Sequence, residues 1–274
     1  LDHFDRRLRY PDQVTREMGL TILGTVPRVK NGRQAGPSED SAQVVEALRS
    51  IRLGLVHAYG AAGPLITTVT SPGSGDGKSF IAANLALAFA DAGHRTLLVD
   101  GDIRRGALHR ILGAQRKPGL IDYLGGQATR EQVVQATRIT SVDFIGCGTR
   151  KMGGPELLAS PAMSQLLIGL RGSYGVIIVD SPPLGAGVDP LILGSMTGSV
   201  LLVLRNGVTD RELTLAKLEL LDRLPIRVLG AVLNDVRATG AYRYYSYLSG
   251  YSAEDEKEDA ATAAGPRRLA GSEG

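Results

Sequence analysis

Residues 71–79 read Ser71-Pro-Gly-Ser-Gly-Asp-Gly-Lys-Ser79, and their setting decides the fold. Upstream, Leu65–Thr70 is a β-branched run that reads as a strand. Downstream, Ser79–Ala92 is alanine-rich and stops at Gly93, the pattern of a buried helix with a glycine terminator. A glycine-rich loop between strand and helix is the context of a phosphate-binding loop. Gly73, Gly75 and Gly77 let the backbone curl so that its N–H groups face phosphate oxygens. The helix N-terminus adds positive partial charge. Lys78 reaches toward the β- and γ-phosphates, and the Ser79 hydroxyl suits Mg²⁺. The usual pattern G-x-x-x-x-G-K-[ST] would put glycine at position 72, where Pro72 stands, so the strict motif fails at one position.

Two further segments supply acid at strand ends. Leu97-Leu-Val-Asp100-Gly-Asp102 is an apolar strand running into two carboxylates, which extended spacing puts on one side. Val176-Ile-Ile-Val-Asp180 ends a second buried strand in aspartate, as a Walker B strand does. A lone aspartate in such a place is usually a cap. Three of them in one phosphate-loop chain point to a metal site, because open parallel sheets bind ligands at those ends.

The rest of the chain continues the alternation. Val142–Gly146, Val200–Leu204 and Val228–Leu233 read as strands, and stretches around 130–137, 161–171 and 210–223 as helices. Continuous β-rich runs separated by helices predict an α/β fold, a mostly parallel sheet with helices on both faces. Before it, Leu20–Val26 reads as a short strand or extended arm, residues 30–40 as a linker, and a helix starts near Asp40. The organisation expected is a lead-in over 1–40, a catalytic domain over 41–237 and a disordered tail over 238–274.

With 274 residues, 43% of them hydrophobic, the chain can bury one sizeable core. Its 31 Lys and Arg against 28 Asp and Glu leave a net charge of +3, which gives no reason to expect a nucleic-acid partner. Cys147 is the sole cysteine, so no internal disulfide forms and a reducing compartment fits. No apolar run approaches the roughly 18 residues of a membrane span, so the piece reads as soluble. It begins with Leu1 rather than Met and reads as part of a longer protein.

Five of the nine tyrosines lie within ten residues: Tyr242, Tyr244, Tyr245, Tyr247 and Tyr251. Beside them runs Glu254-Asp-Glu-Lys-Glu-Asp259. This composition cannot bury a core. Paired with a nucleotide-binding loop, the cluster offers places to put a terminal phosphate, so the chain reads as a kinase that phosphorylates its own tail. The bland alternative is a Tyr-rich loop that packs on a partner.

The loop S-P-G-S-G-D-G-K-S, the segment LLVDGDIRR and the segment VIIVDSPP resemble the Walker A, A′ and B motifs of the bacterial tyrosine kinases. That family departs from the strict loop pattern where Pro72 stands. Pro118-Gly-Leu120 with Asp122, Pro155-Glu-Leu-Leu158 and Leu229-Gly-Ala-Val-Leu-Asn234 add smaller matches, and the resemblance extends from about residue 4 to 251.

The resemblance implies the P-loop NTPase fold of the MinD/ParA type, ATP and Mg²⁺ as cofactors, and similarity to the cytoplasmic part of Wzc-like polysaccharide co-polymerases. The nucleotide-binding set would be Gly73, Ser74, Gly75, Asp76, Gly77, Lys78, Ser79, Phe80, Arg104 and Asn234; a turn role is equally open for Asn234. Ser79, Asp100 and Asp180 would hold Mg²⁺. Lys78, Asp100, Asp102 and Asp180 would carry the transfer, with Asp102 orienting or deprotonating the phenol and Asp100 able to exchange roles with it. Glu46, Arg49 and Arg52 match an E-x-x-R-x-x-R pattern that contacts the next subunit of a ring; by themselves they read as helical ion pairs. Expected partners are further copies of the chain, a membrane segment of the same chain or a membrane activator, a protein-tyrosine phosphatase and polysaccharide export machinery. The expected location is the cytoplasmic face of the bacterial inner membrane. The rivals are a MinD/ParA-like ATPase switch, whose signature lysine falls where Gly73 stands, and a nucleotide-dependent assembly scaffold.

Overall fold

The computed structural model describes residues 5–28, 39–60 and 63–237. In chain order the elements are β1 (Ile22–Pro27), α1 (Glu39–Tyr59), β2 (Leu65–Thr70), α2 (Lys78–Asp91), β3 (Thr96–Asp100) and α3 (Leu108–Leu112). Next come α4 (Leu120–Leu124), α5 (Arg130–Val133), β4 (Val134–Ala136), β5 (Val142–Ile145), α6 (Gly154–Leu158) and α7 (Pro161–Arg171). The last are β6 (Val176–Asp180), α8 (Asp189–Thr197), β7 (Ser199–Arg205), α9 (Arg211–Leu221) and β8 (Arg227–Val236).

The strands form one sheet in the order β1-β8-β7-β2-β6-β3-β5-β4. Among the described strands only the β4–β5 pairing is antiparallel. Strand alternation sends neighbouring side chains to opposite faces, and here both faces are covered. Val176 and Ile178 of β6 join Leu48, Ile51 and Leu55 of α1 and Leu85 and Phe89 of α2 in one core. Ile177 and Val179 join Leu120 of α4, Leu166 and Leu170 of α7 and Leu193 of α8 in the other. A strand with two apolar faces has no polar alternation, which is why β2, β3 and β6 read as unbroken runs and are buried throughout.

Residues 5–27, read from sequence within a lead-in, are packed onto the sheet. β1 lies parallel to β8 as the edge strand. Gly24 faces α1 so closely that a Cβ there would run into the Ile51 side chain, so glycine is what lets helix and strand meet. Before β1, a single π-type turn at Gln13–Glu17 buries Val14, which joins Leu8 in a third cluster with Leu202 and Leu233.

The helix expected around 130–137 is corrected. α5 closes one turn, and residues 134–136 then pair with β5. The Gln135 side chain makes reciprocal bonds with the Gln115 backbone, at 3.0 Å each way, which hold the segment extended. The short helices α3, α4, α6 and α8 were not anticipated; each is too brief to display a helical period.

Candidate active site

The phosphate-loop sequence folds as its glycines require. Gly75 and Gly77 adopt φ of +88° and +95°, and Gly77 caps α2. A Cβ on Gly77 would overlap the Asn234 side-chain amide. That amide donates to the Asp76 carbonyl at 2.9 Å, so Asn234 braces the loop from β8. The buried Asp76 carboxylate accepts from the Gly73 N–H at 2.9 Å and the Thr209 hydroxyl at 2.8 Å. Burial pushes its pKa up, against the pull of those two bonds. Arg205 closes the far side, donating to the Gly75 carbonyl at 2.9 Å while paired with Asp235 at 3.0 Å. The loop is therefore held by Arg205 of β7, Asn234 of β8 and Thr209 of the segment after β7.

Lys78, Ser79, Asp100, Asp102 and Asp180 come together at the carboxyl ends of β2, β3 and β6. Lys78 Nζ lies 3.4 Å from Ser79 Oγ and 3.7 Å from Asp102 Oδ2. Asp100 and Asp180 are register partners across β3 and β6. Asp100 is lifted to about 8 by burial first and by the neighbouring Asp180 second. Burial also raises Asp180, which Lys78 and the Ser79 hydroxyl partly offset. One oxygen on each of Asp100 and Asp180 is buried without a hydrogen-bond partner. Two adjacent carboxylates with orphaned oxygens are a donor set for a hard cation.

Among the described residues no three His, Cys, Asp or Glu side chains close around one point. A complete protein cage is not what Mg²⁺ needs; one or two carboxylates with phosphate and water suffice. The residues present fit that ion.

A cleft of about 460 Å³ opens beside these residues. Ser74, Lys78, Ser79, Asp102, Arg104 and Pro183 contribute to its walls. Arg104 is gripped by the buried Asp189, at 2.7 and 3.2 Å. Phe80 is exposed on the first turn of α2. Glu46, Arg49 and Arg52 lie along α1 and none lines the cleft. Arg49 pairs with Glu46 at 3.3 Å, and Arg52 Nε is buried without a partner. Tyr242, Tyr244, Tyr245, Tyr247 and Tyr251 lie outside the described residues.

Sequence reading did not find Thr209, Arg205, Asp189 or the bracing bond of Asn234. Thr209 carried no signal in the sequence; Asp210 beside it caps α9, accepting from the Leu213 N–H at 2.9 Å.

A parallel sheet with a glycine-rich loop, a lysine and paired acids at its strand ends defines a P-loop nucleotide-binding protein. Residues 67–247 match the model of the CobQ/CobB/MinD/ParA nucleotide binding domain. The putative tyrosine-protein kinase EpsB of Ralstonia nicotianae is 34% identical over 91% of this chain, which spans 37% of that relative. The solved BceF tyrosine kinase domain is 33% identical with a TM-score of 0.75, over 84% of this chain and 99% of that one. The kinase domain of the Escherichia coli tyrosine kinase ETK is 29% identical with a TM-score of 0.75, over 86% and 98%.

The chain belongs to the bacterial tyrosine kinases, within the MinD/ParA-type P-loop fold. It spans little more than a third of the length of the full-length EpsB relative. Among the described residues no helix is long and apolar enough to cross a membrane.

Proposed function

We propose that this chain transfers the γ-phosphoryl group of Mg-ATP to tyrosines of its own tail, Tyr242, Tyr244, Tyr245, Tyr247 and Tyr251. The observation that carries this reading is the 3.7 Å approach of Lys78 to Asp102 in the wall of the cleft, beside the buried strand-end pair Asp100 and Asp180. Lys78 and the loop amides of Gly73–Ser79 neutralise charge on the phosphates. The phenol oxygen forms the new O–P bond as the bond from the γ-phosphorus to the bridging oxygen breaks, and ADP leaves. The phenol proton passes to the Asp102 carboxylate. A free phenol titrates near ~10, and the transition state is loose, so Asp102 acts mainly by orienting the hydroxyl. Ser79, Asp100 and Asp180 would hold Mg²⁺, which supplies electrostatic stabilisation of the transferring group. Phe80 and Arg104 flank the nucleotide.

In this reading the copies form a ring in which one offers its tail to the next, with Glu46, Arg49 and Arg52 at the contact. The chain works at the cytoplasmic face of the inner membrane, tied there by a membrane segment of its own or by an activator. A phosphatase resets it, and its state regulates exopolysaccharide or capsule polymerisation and export.

The test is intact-mass spectrometry of the chain after phosphatase treatment and then after Mg-ATP. A ladder of phosphate additions confined to 242–251, absent in Lys78→Met and in a chain ended at Gly240, is the expected result. Steady ATP hydrolysis with no added phosphate would overturn it in favour of an ATPase switch.

A further inference from the structure

Next to the nucleotide cleft lies a second, shallower one of about 300 Å³. Arg104 lines both. The other lining groups include Arg150, Lys151 and the backbone of Gly153–Pro155. Arg105, Arg150 and Lys151 are exposed. Among the described residues none of the three pairs with a carboxylate. The groove is therefore a cationic shelf joined to the mouth of the site, and the nucleotide reading above assigns no role to Arg150 or Lys151.

The loop that carries them is built rather than loose. The buried Asp122 carboxylate accepts from the Thr149 N–H at 3.2 Å and from the Gly119 N–H at 2.9 Å. The Gly148 N–H donates to the Arg116 carbonyl at 3.1 Å, and the Leu120 N–H to the Gly146 carbonyl at 2.7 Å. Four bonds fix the backbone just before two solvent-facing cations. Lone surface cations on a mobile loop gain little from an anion. Cations presented from a fixed loop lose less freedom on binding one.

The chain itself contains the complementary charge. Glu254-Asp-Glu-Lys-Glu-Asp259 follows the tyrosine cluster and carries five acids against one lysine. From Tyr251 to Glu254 is three residues, ~10 Å when extended, a reach suited to two clefts that share one wall residue. The geometry points to the Arg150–Lys151 groove as the docking site for the acidic segment 254–259, which sets a tail tyrosine into the neighbouring cleft. This deepens the kinase reading and rests on it: the substrate class is a tyrosine followed within a few residues by clustered carboxylates. Tyr251, nearest the acids, is the acceptor the groove serves best. Electrostatic docking of this kind raises encounter and local concentration and leaves the chemical step alone.

The test uses the full chain and synthetic peptides of residues 242–260. One peptide is native, one has every acid of 254–259 changed to its amide, and one has those acids changed to lysine. The native peptide is expected to show a KM at least tenfold below that of the amide peptide, with kcat unchanged. Arg150→Glu together with Lys151→Glu should erase that difference, leave turnover of the amide peptide unaltered, and move the preference to the lysine peptide. Equal KM values for native and amide peptides, or a preference that survives the double reversal, would overturn the proposal. If no peptide accepts phosphate, the kinase reading fails on its own, and fluorescence anisotropy of the labelled peptides still decides docking: tighter binding of the native peptide, lost on reversal, supports it, and equal binding sinks it. Binding to anionic vesicles that depends on Arg150 and Lys151, with no preference among the peptides, would assign the groove to a membrane surface instead.

Discussion

Asp100 and Asp180 stand opposite one another as register partners on adjacent parallel strands, both buried, each keeping one oxygen without a partner. Burial of two neighbouring carboxylates is costly unless a cation joins them. The pair thus carries an electrostatic penalty that a bound cation would relieve.

That penalty has a pH signature. Asp100 is raised from 3.8 to about 8 in the folded chain. Below pH ~4 both folded and unfolded states carry the proton, and the group costs nothing. As pH rises toward 8 the unfolded chain loses its proton first, so stability falls through that window and levels off above it. Without nucleotide, the Asp100→Asn variant should melt above the wild type at pH 8, by on the order of 1–3 kcal/mol, and the gap should narrow as pH falls and close near pH ~4. Thermal melts at the two pH values check this; a constant gap would place its origin outside the titration.

Gly77 tests the loop. Its φ of +95° and the Asn234 amide against its missing Cβ leave no room for a side chain. Gly77→Ala is expected to cost ~1–3 kcal/mol of stability and to abolish binding of a fluorescent ATP analogue. Gly172 has no atom near its missing Cβ and lacks a positive φ. Gly172→Ala should leave binding unchanged.

Thr209 holds the loop from a distance of 133 positions in the chain. Thr209→Val keeps the shape and removes the hydroxyl, leaving the buried Asp76 carboxylate one donor short. The expected outcome is a loss of ~1–2 kcal/mol with a raised KM for ATP, and Thr209→Ser should restore both. Steady-state kinetics at varied ATP, with melts beside them, decide it.

Arg104 and Asp189 are unequal partners. Asp189 is buried, whereas about half of the Arg104 side chain is exposed. Removing the arginine strands a buried charge; removing the aspartate releases an arginine into water. Arg104→Ala should therefore melt below Asp189→Asn, by about 1–2 kcal/mol after allowance for solvent screening. Both should raise the KM for ATP. Equal melting points would show that Asp189 is satisfied without the guanidinium.

Much of the fold was legible because the sheet is buried on both faces. β2, β3 and β6 coincide with their sequence-read spans since no charged residue interrupts them before the strand ends. α5 and β4 escaped because a four-residue helix and a three-residue strand are too short to show a period, and their identity is settled by the bonds between Gln135 and Gln115. β1 was visible as an apolar run, but its place beside β8 rests on Gly24 and Ile51, residues 27 positions apart whose fit no local pattern announces.

By itself the sequence determined a strand–loop–helix with lysine and serine at its turn, two further strands ending in aspartate, and hence a nucleotide site on a parallel sheet. Those are local facts, because glycine spacing, apolar runs and the residue that ends a strand are written consecutively. Only the tertiary structure decided that Asp100 and Asp180 meet in register, that Thr209, Arg205 and Asn234 brace the loop, and that the groove of Arg150 and Lys151 shares Arg104 with the cleft of Lys78. These depend on strand order, which sets β6 between β2 and β3 and brings β7 and β8 beside the loop. Strand order is a property of how two apolar faces are covered at once, and no stretch of consecutive residues encodes it.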